Sequence, residues 1–281
     1  MSLVKVKVGA AGPTDVAKAA GTWRPYPGPH IVNGEGVGSL ADGSRVYFGH
    51  SVSPYGAWAE QTLVPDDWIW PISDLIDDEQ GAAIGSAGIG ALVSLERASV
   101  APGDRVLILG ATGVVGQIGL QLARTMGAGV VAAAGRHEPT LRRLRDRGLA
   151  DITAQLGQGD DLQALRAVAE DGWDVVLAVI FGEAAHAALK TTARGARMVS
   201  MGRFGGSSIN LEIGDLGGRS LFGVGTNDLT PNGRRSAYER LAALVAARRL
   251  NVDVARYSLD RAPEAWAALC GSAHAKILVA P

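Results

Sequence analysis

Between residues 105 and 202 the chain alternates regularly between short apolar runs and longer amphipathic ones. "RVLILG" (105–110), "GVVAAAG" (129–135), "DIT" (151–153), "WDVVLAVI" (173–180) and "ARMVSMG" (196–202) read as strands. Helical spacing fills the intervals at 114–126, 139–148, 160–172 and 183–195. Strands buried on both faces read as continuous apolar runs, and connections this short leave room only for a covering helix. The alternation therefore predicts a doubly wound parallel sheet, an α/β fold, to which "SLFGV" (220–224) adds a sixth strand.

The flanking sequence has a different texture. "LVKVKVG" (3–9) alternates apolar and basic as a half-buried strand does, and "RVYFG" (45–49) and "AWAEQTLV" (57–64) are further β candidates. Residues 23–43 are dense in Pro and Gly, which implies turns and short strands. A helix is expected from residue 77, its acidic start suiting the helix dipole. Asp15 is placed to cap a helix over "PTDVAKAAG". After the alternating region come a helix at 234–249 and a terminal strand at 276–280.

Composition narrows the function classes. The formal net charge of −1 gives no electrostatic reason to expect nucleic acid or an acidic membrane as partner. A single cysteine, Cys270, excludes a disulfide framework and fits a reducing compartment. No apolar run approaches the ~18–20 residues of a membrane span, and no secretory h-region opens the chain. A soluble cytoplasmic globular protein is the expectation.

The chemistry is concentrated where the first strand of the alternation meets its helix. Ala111-Thr112-Gly113-Val114-Val115-Gly116 is a G-x-G-x-x-G fingerprint with alanine first, preceded by Gly110. Gly113 would let the backbone approach a pyrophosphate, and Gly116 would let the helix pack on the strand. The helix N-terminus then offers free N–H groups to the phosphates. Such a loop is convincing only between a strand and a helix, and this one lies there. About 20 residues on, an NAD site carries an acid for the ribose 2′-hydroxyl. Here Gly135 and Arg136 stand instead, and a guanidinium suits the 2′-phosphate of NADPH. Arg143 is a second candidate for that phosphate. Met201 and Gly202, with Phe222, Gly223 and Val224, fall at strand ends, the edge where open α/β sheets bind ligands.

The loop also fits the T-G-x-x-G-x-x-G of extended short-chain dehydrogenases, but no tyrosine here has a lysine four positions on. Nearly end to end, the chain resembles the medium-chain dehydrogenase/reductase superfamily in its zinc-independent quinone oxidoreductase (zeta-crystallin-like) branch. "NGEGVG", "GSRVYFG", "YGAWAEQTLVP", "APGDRVLILGATGVVGQIGLQLAR" and "AKILVAP" carry the resemblance. The N-terminal hairpin that precedes "LVKVKV" in that family is missing. The resemblance implies a GroES-like catalytic domain from residues 1–87 and 226–281, around a Rossmann domain of 88–225. It also implies that Met201, Gly202, Phe222, Gly223 and Val224 line the nicotinamide half, and that the edge strand pairs two chains in a homodimer.

Zinc alcohol dehydrogenases of the superfamily take ligands from a Cys and from the His of a "GHE" motif. Here the 12–15 segment has no Cys, and Gly34 follows Asn33 where that His would stand, so no metal is expected. The branch's usual Asn and Thr near the nicotinamide correspond to Gly12 and Gly90. A quinone or an α,β-unsaturated carbonyl is the implied acceptor. Tyr47 and Tyr55 are candidates to donate to the charge that develops on it, with Phe48 and Trp58 as a possible aromatic wall. The alternative is an NADPH-binding redox sensor without turnover.

Overall fold

A computed structural model describes residues 1–24, 28–32 and 34–281, with the side chains of 203 and 227 outside that description. Asn33 and residues 25–27 of the expected turn region thus lie outside the described residues. The chain divides into two compact units, Met1–Ile89 with Leu229–Pro281, and Gly90–Asp228. These limits lie two and three residues from the boundaries expected from sequence.

The first unit is built on β1 (Ser2–Ala11). Val4, Val6 and Val8 are buried while Leu3, Lys5 and Lys7 face outward, as the apolar–basic alternation requires. Helix α1 (Pro13–Ala19) follows at once, with proline at its start and the Asp15 carboxylate accepting the Gly12 N–H at 3.0 Å. Strands β2 (Glu35–Ser39), β3 (Arg45–Phe48), β4 (Gln61–Val64) and β5 (Ile69–Pro71) come next.

The helix expected from residue 77 is two helices, α2 (Asp78–Ala83) and α3 (Ser86–Arg97). Asp77 caps the first through the Gln80 N–H at 2.7 Å. The break has a long-range cause: the Ser86 N–H donates to the Glu35 carboxylate at 2.8 Å, so a new helix starts there on an anion.

The second unit runs β6 (Arg105–Leu109), α4 (Val114–Thr125), β7 (Val130–Gly135), α5 (Glu138–Asp146), β8 (Ile152–Gln155), α6 (Asp161–Ala169), β9 (Trp173–Ile180), α7 (Glu183–Leu189), β10 (Thr192–Phe204), α8 (Ile213–Leu216) and β11 (Ser220–Gly223). Its sheet is parallel throughout, in the order β11-β10-β9-β6-β7-β8. Connections from β6 lead one way and those from β9 the other, so the order reverses between β9 and β6. Leu107, Leu109, Val176 and Met198 are fully buried between the helical layers; each such side chain stabilises by about 1.5–3 kcal/mol. Helix α7 stops six residues before the 195 expected. The Thr191 and Thr192 hydroxyls donate to the Ala188 and Leu189 carbonyls at 2.8 and 2.6 Å, closing the helix and releasing the chain into β10.

The chain then returns to the first unit through α9 (Pro231–Ala246), β12 (Val254–Ser258), α10 (Ala262–Cys270) and β13 (Lys276–Ala280). Its sheet has the order β12-β13-β1-β2-β3-β5, with β4 also on β1. The terminal strand lies beside the first, Gly9 opposite Val279 and Ala11 opposite Ile277. Among the described residues, no helix is long and apolar enough to cross a membrane.

Candidate functional site

The glycine loop sits at the carboxyl end of β6, at the reversal of strand order where open α/β sheets leave a crevice. Gly110 turns the chain with φ +84°, and the N–H groups of Gly110 and Ala111 both donate to the Ala134 carbonyl at 2.9 Å. This ties the loop to β7. The Gln117 amide holds the buried Thr112 carbonyl at 3.0 Å. Helix α4 begins on Gly113 with no side-chain cap, leaving its first-turn N–H groups to the crevice.

The two signature glycines have different reasons. A Cβ on Gly116 would lie 2.6 Å from Ala111 Cα, so α4 could not pack on its own strand end. Gly113 has ordinary extended dihedrals (φ −84°, ψ 165°), and its Cβ would come no nearer than 3.7 Å to Gly110 O. Among the described residues, nothing demands glycine there. The demand fits a group approaching from outside.

Along the same edge, Gly135 is buried under Thr112, and a Cβ on it would meet Thr112 Cγ2 at 2.8 Å. Arg136 is the next residue, exposed, with its stem beside Gly157 and no ion pair among the described residues. Arg143 lies exposed in the last turn of α5. On the opposite side of the reversal stand Met201 and Gly202 of β10, with the Gly202 backbone pressed on the Val179 carbonyl. Beyond them are Phe222 and Gly223 of β11, and Val224, whose N–H donates to the Ser200 carbonyl at 2.9 Å. The Arg97 guanidinium lies 4.5 Å from the Phe222 ring centroid, so one face of that ring is already engaged. Ala111, Thr112, Gly113, Val114, Val115, Gly116, Gly135, Arg136, Met201, Gly202, Phe222, Gly223 and Val224 thus share one edge of one sheet.

In the first unit, the expectation for Tyr47 is corrected. Its side chain is 1% exposed, stacked on Tyr238 (4.3 Å) and Trp70 (5.2 Å). Its hydroxyl donates to Glu35 Oε2 at 3.0 Å. Burial first, then the Glu35 carboxylate, holds its pKa well above the ordinary tyrosine value. A hydroxyl sealed and committed in this way has no donor left for a substrate. Tyr55 is different: its side chain is 48% exposed and has no hydrogen-bond partner among the described residues. Phe48 and Trp58 are core side chains rather than a wall.

Tyr47 leads to a cluster that the sequence reading missed. Glu35 is buried and accepts from Tyr47 Oη, from the Ser86 N–H and Oγ (both 2.8 Å), and from Lys276 Nζ at 2.7 Å. Burial pushes the Glu35 carboxyl up, but Lys276 and Ser86 outweigh it and the net pKa is lowered. Asp15, also buried, is raised by desolvation despite its bond from Gly12. Only the apolar surroundings of Lys276 in "AKILVA" hinted that its charge is buried.

A zinc site does not fit. Among the described residues, no three His, Cys, Asp or Glu side chains come together. At position 34 any Cβ would lie 2.7 Å from the Ser51 backbone nitrogen, so no ligating side chain can stand there.

The profile of the family described as zinc-binding dehydrogenase matches residues 114–247, a stretch holding only His137 and His186 and no cysteine. The quinone oxidoreductase of Sus scrofa is 30% identical over 257 residues, spanning 87% of this chain and 76% of that protein. The chain belongs to the quinone oxidoreductase branch of the medium-chain dehydrogenase/reductase superfamily. It is an oxidoreductase. A mycocerosic acid synthase-like polyketide synthase of Mycobacterium tuberculosis is 34% identical over 171 residues, 60% of this chain and 8% of that much longer protein. Among solved structures, the Escherichia coli quinone oxidoreductase complexed with NADPH superposes with a TM-score of 0.87 at 22% identity, covering 100% of this chain and 91% of that one. This likeness confirms the two-sheet α/β fold of the branch.

Proposed function

We propose that this oxidoreductase reduces quinones and α,β-unsaturated carbonyls with NADPH and without zinc. The observation that carries the proposal is the loop at the strand reversal. Among the described residues nothing crowds a side chain at Gly113, and β7 is followed by Arg136, with no ion pair among the described residues, rather than by an acid. The NADPH in the E. coli structure supports the same cofactor, and the Sus scrofa relative supports the acceptor class.

The N–H groups at the start of α4 hold the pyrophosphate, and Gly113 lets it approach the backbone. Arg136 takes the 2′-phosphate, with Arg143 as a second cation nearby in sequence. Met201, Gly202, Phe222, Gly223 and Val224 line the nicotinamide half. When bound, NADPH supplies the hydride. The chain orients the acceptor and excludes water. Tyr55 Oη, the accessible hydroxyl of the two tyrosines considered, donates to the acceptor oxygen as it gains charge. A conjugated carbonyl spreads that charge. An alcohol substrate would instead need its alkoxide stabilised, and among the described residues no zinc ligand set comes together for that task. The free edge of β11 supports a homodimer formed by pairing two such edges.

Steady-state NADPH oxidation tests the reading against 1,4-benzoquinone, a linear enone and, in reverse, a primary alcohol. Turnover of quinone or enone with poor alcohol oxidation is expected, and Tyr55→Phe should slow the enone more than the quinone. Alcohol oxidation without quinone or enone turnover would overturn the assignment. NADPH binding without consumption by any acceptor would make the chain a sensor rather than an enzyme.

A further inference from the structure

An ammonium carries three N–H donors, and burying it is costly unless they are engaged. Lys276 of β13 is 3% exposed, and among the described residues its Nζ makes one hydrogen bond, to Glu35 Oε1 at 2.7 Å. The side chain is not free to swing away. Glu35 holds it, and Glu35 is itself fixed by the Ser86 N–H and hydroxyl, both at 2.8 Å. Two donors of an anchored, buried cation are left over, and such a remainder calls for an oxygen that the described residues do not supply.

Room for that oxygen lies at Gly12. A Cβ built there would lie 4.0 Å from Lys276 Nζ, with no other described atom outside its own neighbours within 4 Å. Gly12 is half-buried and extended (φ −145°, ψ 173°), a conformation any residue adopts, so backbone freedom is not what keeps it glycine. Its own N–H is already taken by the Asp15 carboxylate at 3.0 Å, which leaves the ammonium as the donor facing this room. Asp15 is the other acid near Lys276. Burial raises its pKa and favours its uncharged form, so it offsets the cation less than a solvated carboxylate would.

We propose that Lys276 is a catalytic residue, whose ammonium takes the carbonyl oxygen of the acceptor beside Gly12 and stabilises the charge that develops on it. The proposal rests on the conjugated-carbonyl reading above. Hydride reaching the β-carbon of an enone brings two electrons and leaves NADP+ behind. The alkene and carbonyl π electrons shift toward oxygen to give an enolate, and water afterwards supplies the proton. Lys276 keeps its own protons and acts only as donor and counter-charge. A carbonyl oxygen accepts two hydrogen bonds, so this donor adds to Tyr55 rather than replacing it.

4-Nitrophenol tests the site without turnover, because its coloured anion is a flat conjugated oxyanion like the enolate. The parent protein should bind it as the anion, seen as a rise in visible absorption at a pH where the free compound is mostly protonated. Glu35→Gln/Lys276→Met removes the ammonium without stranding a buried charge and should abolish the rise. Gly12→Leu leaves the ion pair alone but fills the room, and should weaken 4-nitrophenol at least about tenfold, whereas Gly12→Ala should stay within about threefold. Should Gly12→Leu fail to fold, Gly12→Val gives the same block. NADPH affinity by calorimetry should change less than about twofold in each. The double variant should lose about 100-fold in enone kcat, the usual effect of removing one oxyanion donor. No rise in the parent, or a rise that survives in the double variant or in Gly12→Leu, would overturn the proposal. An enone kcat within about threefold of the parent in the double variant would do the same, as would equal loss of NADPH and 4-nitrophenol, which marks a general disturbance. A parent that binds the anion yet reduces neither quinone nor enone would bring down the acceptor reading, and the catalytic role with it. Parent turnover with indifferent variants would sink only the role of Lys276.

Discussion

Replacing Lys276 by methionine leaves the Glu35 carboxylate buried without its counter-charge. The two side chains are 3% and 5% exposed and meet at 2.7 Å. Glu35 would keep the Tyr47 and Ser86 donors, but the cation that best offsets its desolvation would be gone. Removing one partner of such a pair costs about 3–5 kcal/mol, whereas replacing both with neutral groups of similar size costs far less. Glu35→Gln strands the ammonium instead and should cost a similar amount. The double variant Glu35→Gln/Lys276→Met should lose only about 1–2 kcal/mol, since glutamine still accepts from Ser86 and Tyr47. For a chain of this size the single changes correspond to Tm losses of roughly 6–10 °C. Scanning calorimetry suits the measurement because it can resolve separate transitions of the two units. The acid limb adds a second readout. The Glu35 pKa is lowered in the fold, so its contribution is full above the ordinary carboxylate value near ~4.3 and fades as pH falls through the folded value. Lys276→Met should flatten that limb. Single variants each costing under about 1 kcal/mol, or a double variant costing their sum, would refute the reasoning.

Arg136→Ala should weaken NADPH by about 1.5–3 kcal/mol and leave NADH nearly untouched; equal affinity of the parent for both cofactors, by titration, would contradict it. Tyr47→Phe should destabilise the first unit by about 1–2 kcal/mol while leaving turnover in place. Because the Tyr47 pKa is raised, its contribution holds below the ordinary tyrosine value near ~10 and is lost as pH rises beyond it; Tyr47→Phe should remove that alkaline component of the melting profile. Activity should survive a strong chelator, and stoichiometric zinc on elemental analysis would count against the proposed mechanism. Light scattering should return twice the chain mass at micromolar concentration, and a monomer would remove the proposed role of the β11 edge.

The sheet of the second unit was legible because its signals are local. Each strand, turn and helix of a βαβ unit carries its own periodicity, and the order of strands follows from short, right-handed connections. The position of the loop at 110–116 between a strand and its helix, and of Arg136 just past the next strand, was legible for the same reason. Misreadings arose where a distant group intervened. The helix from 77 is broken by a carboxylate from β2, and Tyr47 looked available because the burial of three successive residues in β3, Val46 to Phe48, is set by its neighbours on both faces.

By itself, then, the sequence determined the alternating architecture and the placement of a glycine loop at its strand reversal, both written in neighbours a few positions apart. Tertiary structure alone decided that Glu35 and Lys276, separated by 241 positions, neutralise one another in a core. It also decided that Tyr47 is committed to them while Tyr55 is free. Those facts depend on which buried volumes and charges meet once remote segments pack, and no periodicity along the chain encodes such a meeting.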